Sequence, residues 1–431
     1  MKAGDRIKVV TKEETVEGIL VPSPELEKDV LIIKLDSGYN IGIEKKKVKE
    51  MKLVSAAKER RDVFAHVKKD KKLPTIAILH TGGTIASKAD YRTGGVIAKF
   101  TPKEILEMFP EIREIANIDS RLIRNMWSED MRFPHYNLMA KEVEREVKKG
   151  VDGVIITHGT DTMHYTSAAL SFILEDLPVP VILVGAQRSS DRGSSDAGEN
   201  LIDAAYFIAN SDFAEVAICM HENIEDKDCL ILPGTKTRKM HTSRRDAFRP
   251  INATAIARVN HAEKKICFIR KKYAKKSKGK VNLKLIDEKL KVGSIKTHPN
   301  MYAEEFSEYE KFDGLVIEGY ALGQAPVNKD DDLTNENERI LEKIKLFCRK
   351  MPVVMASQAI YGRLQMNVYS TARDLREIGV LGHLSDMTPE TTFIKLAWLL
   401  SNYKKEEVKD LITKNLRGEI SERTEKETFL V

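Results

Sequence analysis

The sequence predicts an α/β protein in which parallel strands end in polar residues, preceded by a separate small β unit. Three observations support this architecture. From Pro74 onward, short β-branched apolar runs alternate with longer helix-like stretches, a pattern typical of βαβ units. Two of these runs end in a glycine flanked by threonine. The first 54 residues contain only short, largely alternating runs, which indicates a unit without helices.

Residues 1–54 are expected to form a small N-terminal β-barrel of the SH3-like or Sm-like kind. Their apolar runs are short, and turn formers such as Asp36-Ser37-Gly38 separate them. Closing four or five such strands into a barrel removes exposed strand edges. The alternative is that these strands only extend the main sheet.

A charged, helix-prone linker at residues 55–73 leads into the larger α/β domain, residues 74–267. There the pattern predicts strands at 75–80, 151–157, 179–184 and 215–220, and helices after Thr101, at 163–175 and near 197–209. Such alternation implies a parallel sheet with helices on both faces. Ligands of such sheets bind at the carboxyl ends of the strands.

A basic interdomain segment is predicted at residues 268–290, inside the most basic stretch of the chain, 264–291. A stretch of this kind is usually a solvated surface, and contact with the phosphates of a nucleic acid is the alternative. A second, smaller α/β domain is predicted at residues 291–420. Its strands are expected at 292–296, 313–318 and 352–357, its helices at 335–349 and 388–415, and a loose tail at 421–431.

The composition argues against several classes of protein. Of the 431 residues, 42% are hydrophobic and 32% charged, and no uncharged run is long enough to span a bilayer. The N-terminus lacks the pattern of a signal peptide, so a cytoplasmic protein is expected. A net charge of +6 does not by itself require a nucleic-acid partner.

The cysteines and histidines show no spacing that would hold a metal. The four cysteines form no C-x-x-C pair and are expected to be free thiols, and the histidines are expected to be structural. The residues concerned are Cys219, Cys229, Cys267 and Cys348, and His158, His164, His241 and His383. No G-x-x-x-x-G-K-[ST] motif is present, so no ATP site is expected in this chain.

Two strand ends carry the residues best suited to chemistry. One predicted strand runs into Thr81-Gly82-Gly83-Thr84, and another runs into His158-Gly159-Thr160-Asp161. Glycines without a Cβ let a substrate approach the backbone, and the hydroxyls and the carboxylate can act on it. Taken singly, each threonine could be a turn former and Asp161 a helix cap.

Together and in this order, the two motifs resemble those of the bacterial-type L-asparaginases, a family of amidohydrolases, over residues 74–420. The resemblance implies an L-asparaginase-like two-domain fold. It implies that Thr84 attacks the substrate amide, with Tyr91 on the following loop as its proton acceptor. Thr160, Asp161 and Lys239 match a second polar cluster of the family, and which of the two threonines attacks stays open.

The resemblance also supplies the remaining site residues. Lys239 is favoured by its spacing to Phe248, with Lys236 as the competing lysine. Ser128 is expected to contact the substrate carboxylate, and Glu129 the ammonium group. Asn300 matches an asparagine that a neighbouring protomer contributes, whereas the family's nearby acidic contributor is replaced by Tyr369. No metal or cofactor is implied.

The additional N-terminal unit and the basic segment make the chain similar to the glutaminase components of archaeal tRNA-dependent amidotransferases. This similarity implies a homodimer through the asparaginase-like domains that supplies ammonia from glutamine to a partner, the E-type subunit of the amidotransferase. That partner would use ATP and Mg²⁺ to convert Glu-tRNA(Gln) to Gln-tRNA(Gln) and would make most of the tRNA(Gln) contacts. The alternatives are a free-standing cytoplasmic L-asparaginase and a catalytically silent RNA-binding or scaffolding protein.

Overall fold

The structure is a computed structural model of the chain and describes most of it. The described residues are 1, 5–21, 29–35, 40–56, 69–83, 87–89, 96–98, 108–188, 195–225 and 227–429. Several features predicted from the sequence lie partly or wholly outside them: Thr84, Tyr91, the Asp36-Ser37-Gly38 loop, most of the linker, the start of the helix expected after Thr101, and the last two residues of the tail.

The strands are β1 (Arg6–Val10), β2 (Thr15–Val21), β3 (Val30–Lys34), β4 (Asn40–Glu44), β5 (Glu50–Ser55), β6 (Thr75–His80), β7 (Ser87–Ala89), β8 (Val96–Ala98), β9 (Asn117–Leu122), β10 (Gly153–Thr157), β11 (Leu174–Glu175), β12 (Val181–Val184), β13 (Val216–His221), β14 (Cys229–Pro233), β15 (Thr237–Lys239), β16 (Phe248–Pro250), β17 (Ala257–Asn260), β18 (Lys265–Phe268), β19 (Asn282–Leu283), β20 (Val292–Lys296), β21 (Gly314–Gly319) and β22 (Val353–Ser357). The α-helices are α1 (Ile112–Ile115), α2 (Phe133–Lys148), α3 (Met163–Ile173), α4 (Ala197–Asn210), α5 (Asn335–Lys350), α6 (Ser370–Glu377), α7 (Pro389–Asn402) and α8 (Lys405–Leu411). Short 3₁₀ turns lie at Lys45–Lys47, Ser128–Asp130, Ala303–Lys311, Asp332–Thr334 and Lys426–Thr428.

The N-terminal unit is a five-stranded antiparallel sheet in the order β4-β3-β2-β1-β5. Its small core consists of buried β-branched residues, namely Ile7, Val9, Val16, Ile33 and Ile43. The unit is a sheet of its own, so the alternative of an extension to the main sheet is wrong. Within the described residues no ladder joins β4 to β5, and closure into a barrel stays a prediction.

The main sheet has eight strands in the order β18-β17-β14-β13-β12-β10-β6-β9. The five strands from β13 to β9 are parallel, as the alternation predicts. The expectation of a wholly parallel sheet is wrong at one edge, because β14, β17 and β18 are antiparallel. Antiparallel neighbours can be joined without a crossover helix, so this edge lacks the alternation of strand and helix. The pattern also missed β9 and α2.

The strand β10 shows why the central strands are apolar throughout. Val154 and Ile156 enter the core cluster on one face of the sheet, and Ile155 enters the cluster on the other face. Since both faces are covered, every position of the strand is buried, and the sequence reads as a continuous apolar run. The polar groups that follow are concentrated at the end of the strand.

The smaller α/β unit contains a parallel sheet in the order β20-β21-β22. Helix α7 joins it to the larger unit: the rings of Phe172 on α3 and Trp398 on α7 lie 5.4 Å apart, inside one common apolar cluster. The tail expected to be loose also makes contacts, since the ring of Phe429 lies 5.3 Å from that of Tyr361. None of the described helices combines the length and apolar character needed to cross a membrane.

Candidate active site

Two glycines bring the two polar motifs into contact. A Cβ on Gly83, where φ is +79°, would lie 2.5 Å from the amide nitrogen of Gly159, and a Cβ on Gly159 would lie 2.8 Å from the Cβ of Ser128. Because only hydrogen fits at these positions, the backbones pack directly against each other. Gly83 and Gly159, which precede Thr84 and Thr160, are therefore neighbours at the carboxyl edge of the sheet.

The strands themselves fix this arrangement. β6 and β10 are adjacent and parallel, so His80 lies opposite Thr157. Beyond the strands, the hydroxyl of Thr81 donates a hydrogen bond of 2.9 Å to the carbonyl oxygen of Thr157. On the far side, the Thr162 hydroxyl donates to the carbonyl oxygen of Ser128 at 2.6 Å. Three loops are thus tied together at one edge.

Lys239 links the residues of the second motif. Its ammonium group donates to the hydroxyl of Thr160 at 2.9 Å and to the carboxylate of Asp161 at 2.8 Å. The lysine side chain is 11% exposed, whereas that of Asp161 is 64% exposed. A hydroxyl that accepts from an ammonium group keeps its own proton free to donate outward, and the nearby cation favours negative charge on that oxygen.

The structure distinguishes the two candidate lysines. In the ladder between β15 and β16, Lys239 is paired with Phe248, which is fully buried. Lys236 is also buried but points to the other unit, with its ammonium group 2.7 Å from the carboxylate of Asp386. Burial lowers the pKa of Lys236, and the carboxylate of Asp386 opposes that effect. Of the two, only Lys239 reaches Thr160.

The residues expected to bind the amino-acid part of the substrate lie beside this cluster. Ser128 is buried and Glu129 is exposed, in the 3₁₀ turn that contacts Gly159. The preceding Trp127 is 60% exposed. An exposed carboxylate and an exposed aromatic ring on this turn, together with the exposed Asp161, form an open, acidic edge, which suits a ligand with an ammonium group.

Three buried histidines support the strand ends from behind. His158 is bonded to the carbonyl oxygen of Gly159 at 2.6 Å and to the hydroxyl of Thr166 at 2.8 Å. Burial lowers the pKa of His80 and of His158 to about 4, and lowers that of His164 to about 3. All three are therefore neutral at pH 7 and serve as hydrogen-bonding or packing supports.

The remaining predicted residues lie elsewhere or outside the described chain. Thr84 and Tyr91 are outside it, Tyr91 in the segment between the paired strands β7 and β8. Asn300, at φ 61°, and Tyr369, 55% exposed, lie on the surface of the smaller unit. Within the described residues, the Asn300 side chain bonds Tyr302 at 3.4 Å and does not join the Thr160 cluster of its own chain.

The sequence reasoning missed a carboxylate behind the cluster. Glu390, at the start of α7, is buried, and its Oε1 lies 3.0 Å from Nε of Arg238 and 3.9 Å from Nε2 of His164. The segment Thr388-Pro389-Glu390 has a readable helix start, with a cap, a proline and an acid in the first turn. That signal locates the helix but does not indicate the strand it faces.

One group of side chains in the described residues has the composition of a metal site: Glu199, Asp203 and His261. The imidazole and the backbone amide of His261 both bond Oδ1 of Asp203 at 2.8 Å. This hydrogen bond raises the pKa of His261. The group is explained by this hydrogen bond between His261 and Asp203 and is not part of the Thr160 cluster.

Three family models together match nearly the whole chain. They are described as GatD N-terminal domain, at residues 1–54; Asparaginase, N-terminal, at 75–273; and Glutaminase/Asparaginase C-terminal domain, at 291–412. The residues matched by the second model include Thr160, Asp161 and Lys239.

Curated relatives are similar over their full length. The D-type component of the glutamyl-tRNA(Gln) amidotransferase of Pyrococcus furiosus is 45% identical over 100% of this chain and 98% of the relative. The corresponding protein of Thermococcus kodakarensis is 44% identical over 99% of this chain and 96% of the relative. That of Methanococcus maripaludis is 41% identical, with coverage of 98% and 99%.

Solved structures of asparaginases are similar over the two α/β units. The thermostable L-asparaginase from Thermococcus kodakarensis has a TM-score of 0.70 and 32% identity, covering 80% of this chain and 99% of the asparaginase. L-asparaginase I from Vibrio cholerae has a TM-score of 0.70 and 29% identity, covering 81% and 99%. These similarities confirm the predicted L-asparaginase-like fold.

Proposed function

This chain belongs to the GatD family of glutamyl-tRNA(Gln) amidotransferase components, and we therefore propose that it is the glutaminase of such an amidotransferase. The observation that carries the proposal is the full-length similarity to the GatD relatives, which includes residues 1–54. By contrast, 80% of this chain is enough to cover 99% of the asparaginase from Thermococcus kodakarensis. A free asparaginase does not account for the N-terminal sheet.

In the proposed reaction, the hydroxyl of Thr84 attacks the side-chain amide carbon of glutamine, and its proton passes to Tyr91. The tetrahedral intermediate expels the nitrogen as ammonia, which takes up the proton held by Tyr91 as the C–N bond breaks. A γ-glutamyl ester of Thr84 remains. Water then hydrolyses the ester to give glutamate and to restore the threonine hydroxyl.

The second cluster supports this chemistry through the contacts already described. Lys239 holds the Thr160 hydroxyl at 2.9 Å, so that this hydroxyl can donate to the oxygen on which negative charge develops. Asp161, together with Glu129, offers negative charge to the α-ammonium group of glutamine. Ser128 binds the α-carboxylate, and Asn300 of a second copy of the chain completes the site of a homodimer.

The released ammonia is passed to the proposed partner, the E-type subunit of the amidotransferase. That partner activates Glu-tRNA(Gln) with ATP and Mg²⁺ and makes the main contacts with tRNA(Gln). This chain needs no cofactor for the hydrolysis, since threonine, tyrosine and lysine supply the nucleophile and the proton transfers. The assembly is proposed to act in the cytoplasm.

Ammonia release from glutamine and from asparagine tests the proposal. The purified chain should release ammonia from glutamine, and the E-type partner with Glu-tRNA(Gln) and ATP should increase the rate. Thr84→Ala should abolish release, whereas Thr424→Ala, at an exposed threonine of the tail, should not change it. Faster hydrolysis of asparagine, with no response to the partner, would instead identify a free-standing asparaginase.

A further inference from the structure

We propose that Glu390 is a positioning residue for Lys239 and acts through Arg238. The proposal deepens the proposed function and rests on it, because the effect on catalysis requires that Lys239 serve the glutaminase reaction. It is drawn from the way in which the smaller α/β unit holds the segment that carries Lys239.

The segment 235–239 is fastened to the beginning of α7 at three points. The hydroxyl of Thr391 donates to the carbonyl oxygen of Thr235 at 2.8 Å. The ammonium group of Lys236 donates to Asp386 at 2.7 Å. The third point is the 3.0 Å contact between Arg238 and Glu390. The loop before α7 and the first turn of α7 supply all three groups.

Of these three contacts, that of Glu390 is the one adjacent to the catalytic cluster. Arg238 is the immediate neighbour of Lys239 in β15, a strand of only three residues. Adjacent side chains of a strand point to opposite faces, so fixing Arg238 on one side fixes the direction of Lys239 on the other. β15 pairs only with the equally short β16 among the described residues, so few backbone hydrogen bonds hold it otherwise.

Glu390 is buried beside Arg238 at the amino end of a helix. The residue is 6% exposed and occupies the first turn of α7, where the amino end of the helix dipole stabilises negative charge. His164 on α3 faces the same carboxylate at 3.9 Å, and burial lowers the pKa of that histidine to about 3, so it is neutral at pH 7. Among the described residues, Arg238 is therefore the cation in contact with this buried carboxylate.

Replacing the carboxylate should let Arg238 move. Without that anchor, an arginine that is about one-third exposed turns toward water, and β15 gains freedom next to Lys239. Loss of alignment costs rate more than substrate affinity, because the misplaced group is needed for the bond-making step. The expected signature is a fall in kcat with little change in KM.

The decisive experiment compares Glu390→Gln with Glu175→Gln. Both variants remove a carboxylate that pairs with an arginine distant in sequence, since Glu175 pairs with Arg417. Among the described residues, however, the ion pairs of Glu175, with Arg417 and Lys284, include neither Arg238 nor Lys239. Glu390→Gln should lower kcat for glutamine at least about tenfold with KM within about threefold, and Glu175→Gln should keep both within about twofold. Unchanged kcat in Glu390→Gln would overturn the proposal.

Two further variants separate positioning from general destabilisation. If Glu390 acts through Arg238, the double variant Glu390→Gln/Arg238→Met should be about as slow as either single variant, whereas independent effects would multiply. Glu390→Asp, which keeps the charge, should recover part of the rate and serves if the glutamine variant folds poorly. Multiplied losses in the double variant would count against action through Arg238.

Crystal structures test the positioning without any assay of activity. In Glu390→Gln the distance from Nζ of Lys239 to Oγ1 of Thr160, 2.9 Å here, should exceed hydrogen-bonding range, and in Glu175→Gln it should not. An unchanged distance overturns the proposal. A wild-type chain that releases no ammonia refutes the proposed function instead, and the two structures then decide the positioning role by themselves.

Discussion

The parallel strands of the two α/β units end in similar polar groups but use them differently. At the edge of the smaller sheet, the side-chain amide of Gln358 donates to the carbonyl oxygens of Thr297 and Glu318, both at 2.7 Å, and the Thr297 hydroxyl also donates to Glu318. At the edge of the larger sheet, the carboxylate of Asp161 is 64% exposed. A hydroxyl at a strand end marks a site only when its surroundings leave polar groups for a ligand.

The largest expected difference between the edges is in activity. Thr160→Val removes the hydroxyl held by Lys239 and should lower kcat for glutamine about 10³-fold with little change in the melting temperature. Thr297→Val, the matched variant at the other edge, removes the bond to Glu318. It should keep kcat within about threefold and lose about 1–2 kcal/mol of unfolding free energy.

The comparison would fail if both variants behaved alike. Steady-state kinetics and urea unfolding of the two valine variants provide both measurements. Near-normal glutaminase activity in Thr160→Val would remove that hydroxyl from the mechanism. A large loss of activity in Thr297→Val would show that the hydroxyl of Thr297 also serves the reaction.

The second expected difference is in the response to acid. The buried His80, His158 and His164 have pKa values of about 4, 4 and 3, below the ordinary 6.5, so each binds its proton more readily in the unfolded chain. Their stabilising effect is complete above pH 6.5 and is lost as the pH falls toward these values. At pH 5 each should have lost about 2 kcal/mol.

Urea unfolding at pH 7.5 and pH 5.0 measures this loss. Hydrogen exchange should show this loss of stability first in β10 and α3, at the carboxyl edge of the larger sheet. The matched control is His298→Asn at the smaller edge, an exposed histidine whose pKa is raised by its bonds to Pro299 and Glu305. Removing it should not reduce the acid sensitivity. Equal stability at the two pH values would contradict the role given to the buried histidines.

The sequence predicted the regular parts of the fold closely. The strand expected at 352–357 is Val353–Ser357, and the helix expected at 335–349 is Asn335–Lys350. Both have a strong local signal, an apolar run or a helical period. The antiparallel edge strands were missed, because short strands without intervening helices leave weak periodicity. Helix α2 was missed although its buried residues Tyr136, Met139, Ala140 and Val143 recur at helical spacing.

For the candidate site, the sequence showed the groups but not their supports. Thr160 and Asp161 follow a readable strand, and Lys239 could be located by resemblance. Glu390 was missed because it acts across the boundary of the two units, and nothing in a linear pattern reveals which helix start faces β15. Contacts of this kind depend on the tertiary arrangement alone.

The smallest expected effect is on the free energy of unfolding and concerns the carboxyl edge of the smaller sheet. Gln358→Leu removes the donor that satisfies the carbonyl oxygens of Thr297 and Glu318, so the free energy of unfolding should fall by about 1–3 kcal/mol. Glutaminase activity should stay within about threefold, because the amide of Gln358 is used by these two backbone carbonyls and not by the substrate. Glu338→Gln, which breaks an exposed ion pair with Lys329 in the same unit, should change stability by less than about 0.5 kcal/mol. Urea unfolding of the two variants is the test. Equal stabilities would mean that the hydrogen bonds of Gln358 do not stabilise this edge, and the two sheets would then differ only in how exposed their polar groups are.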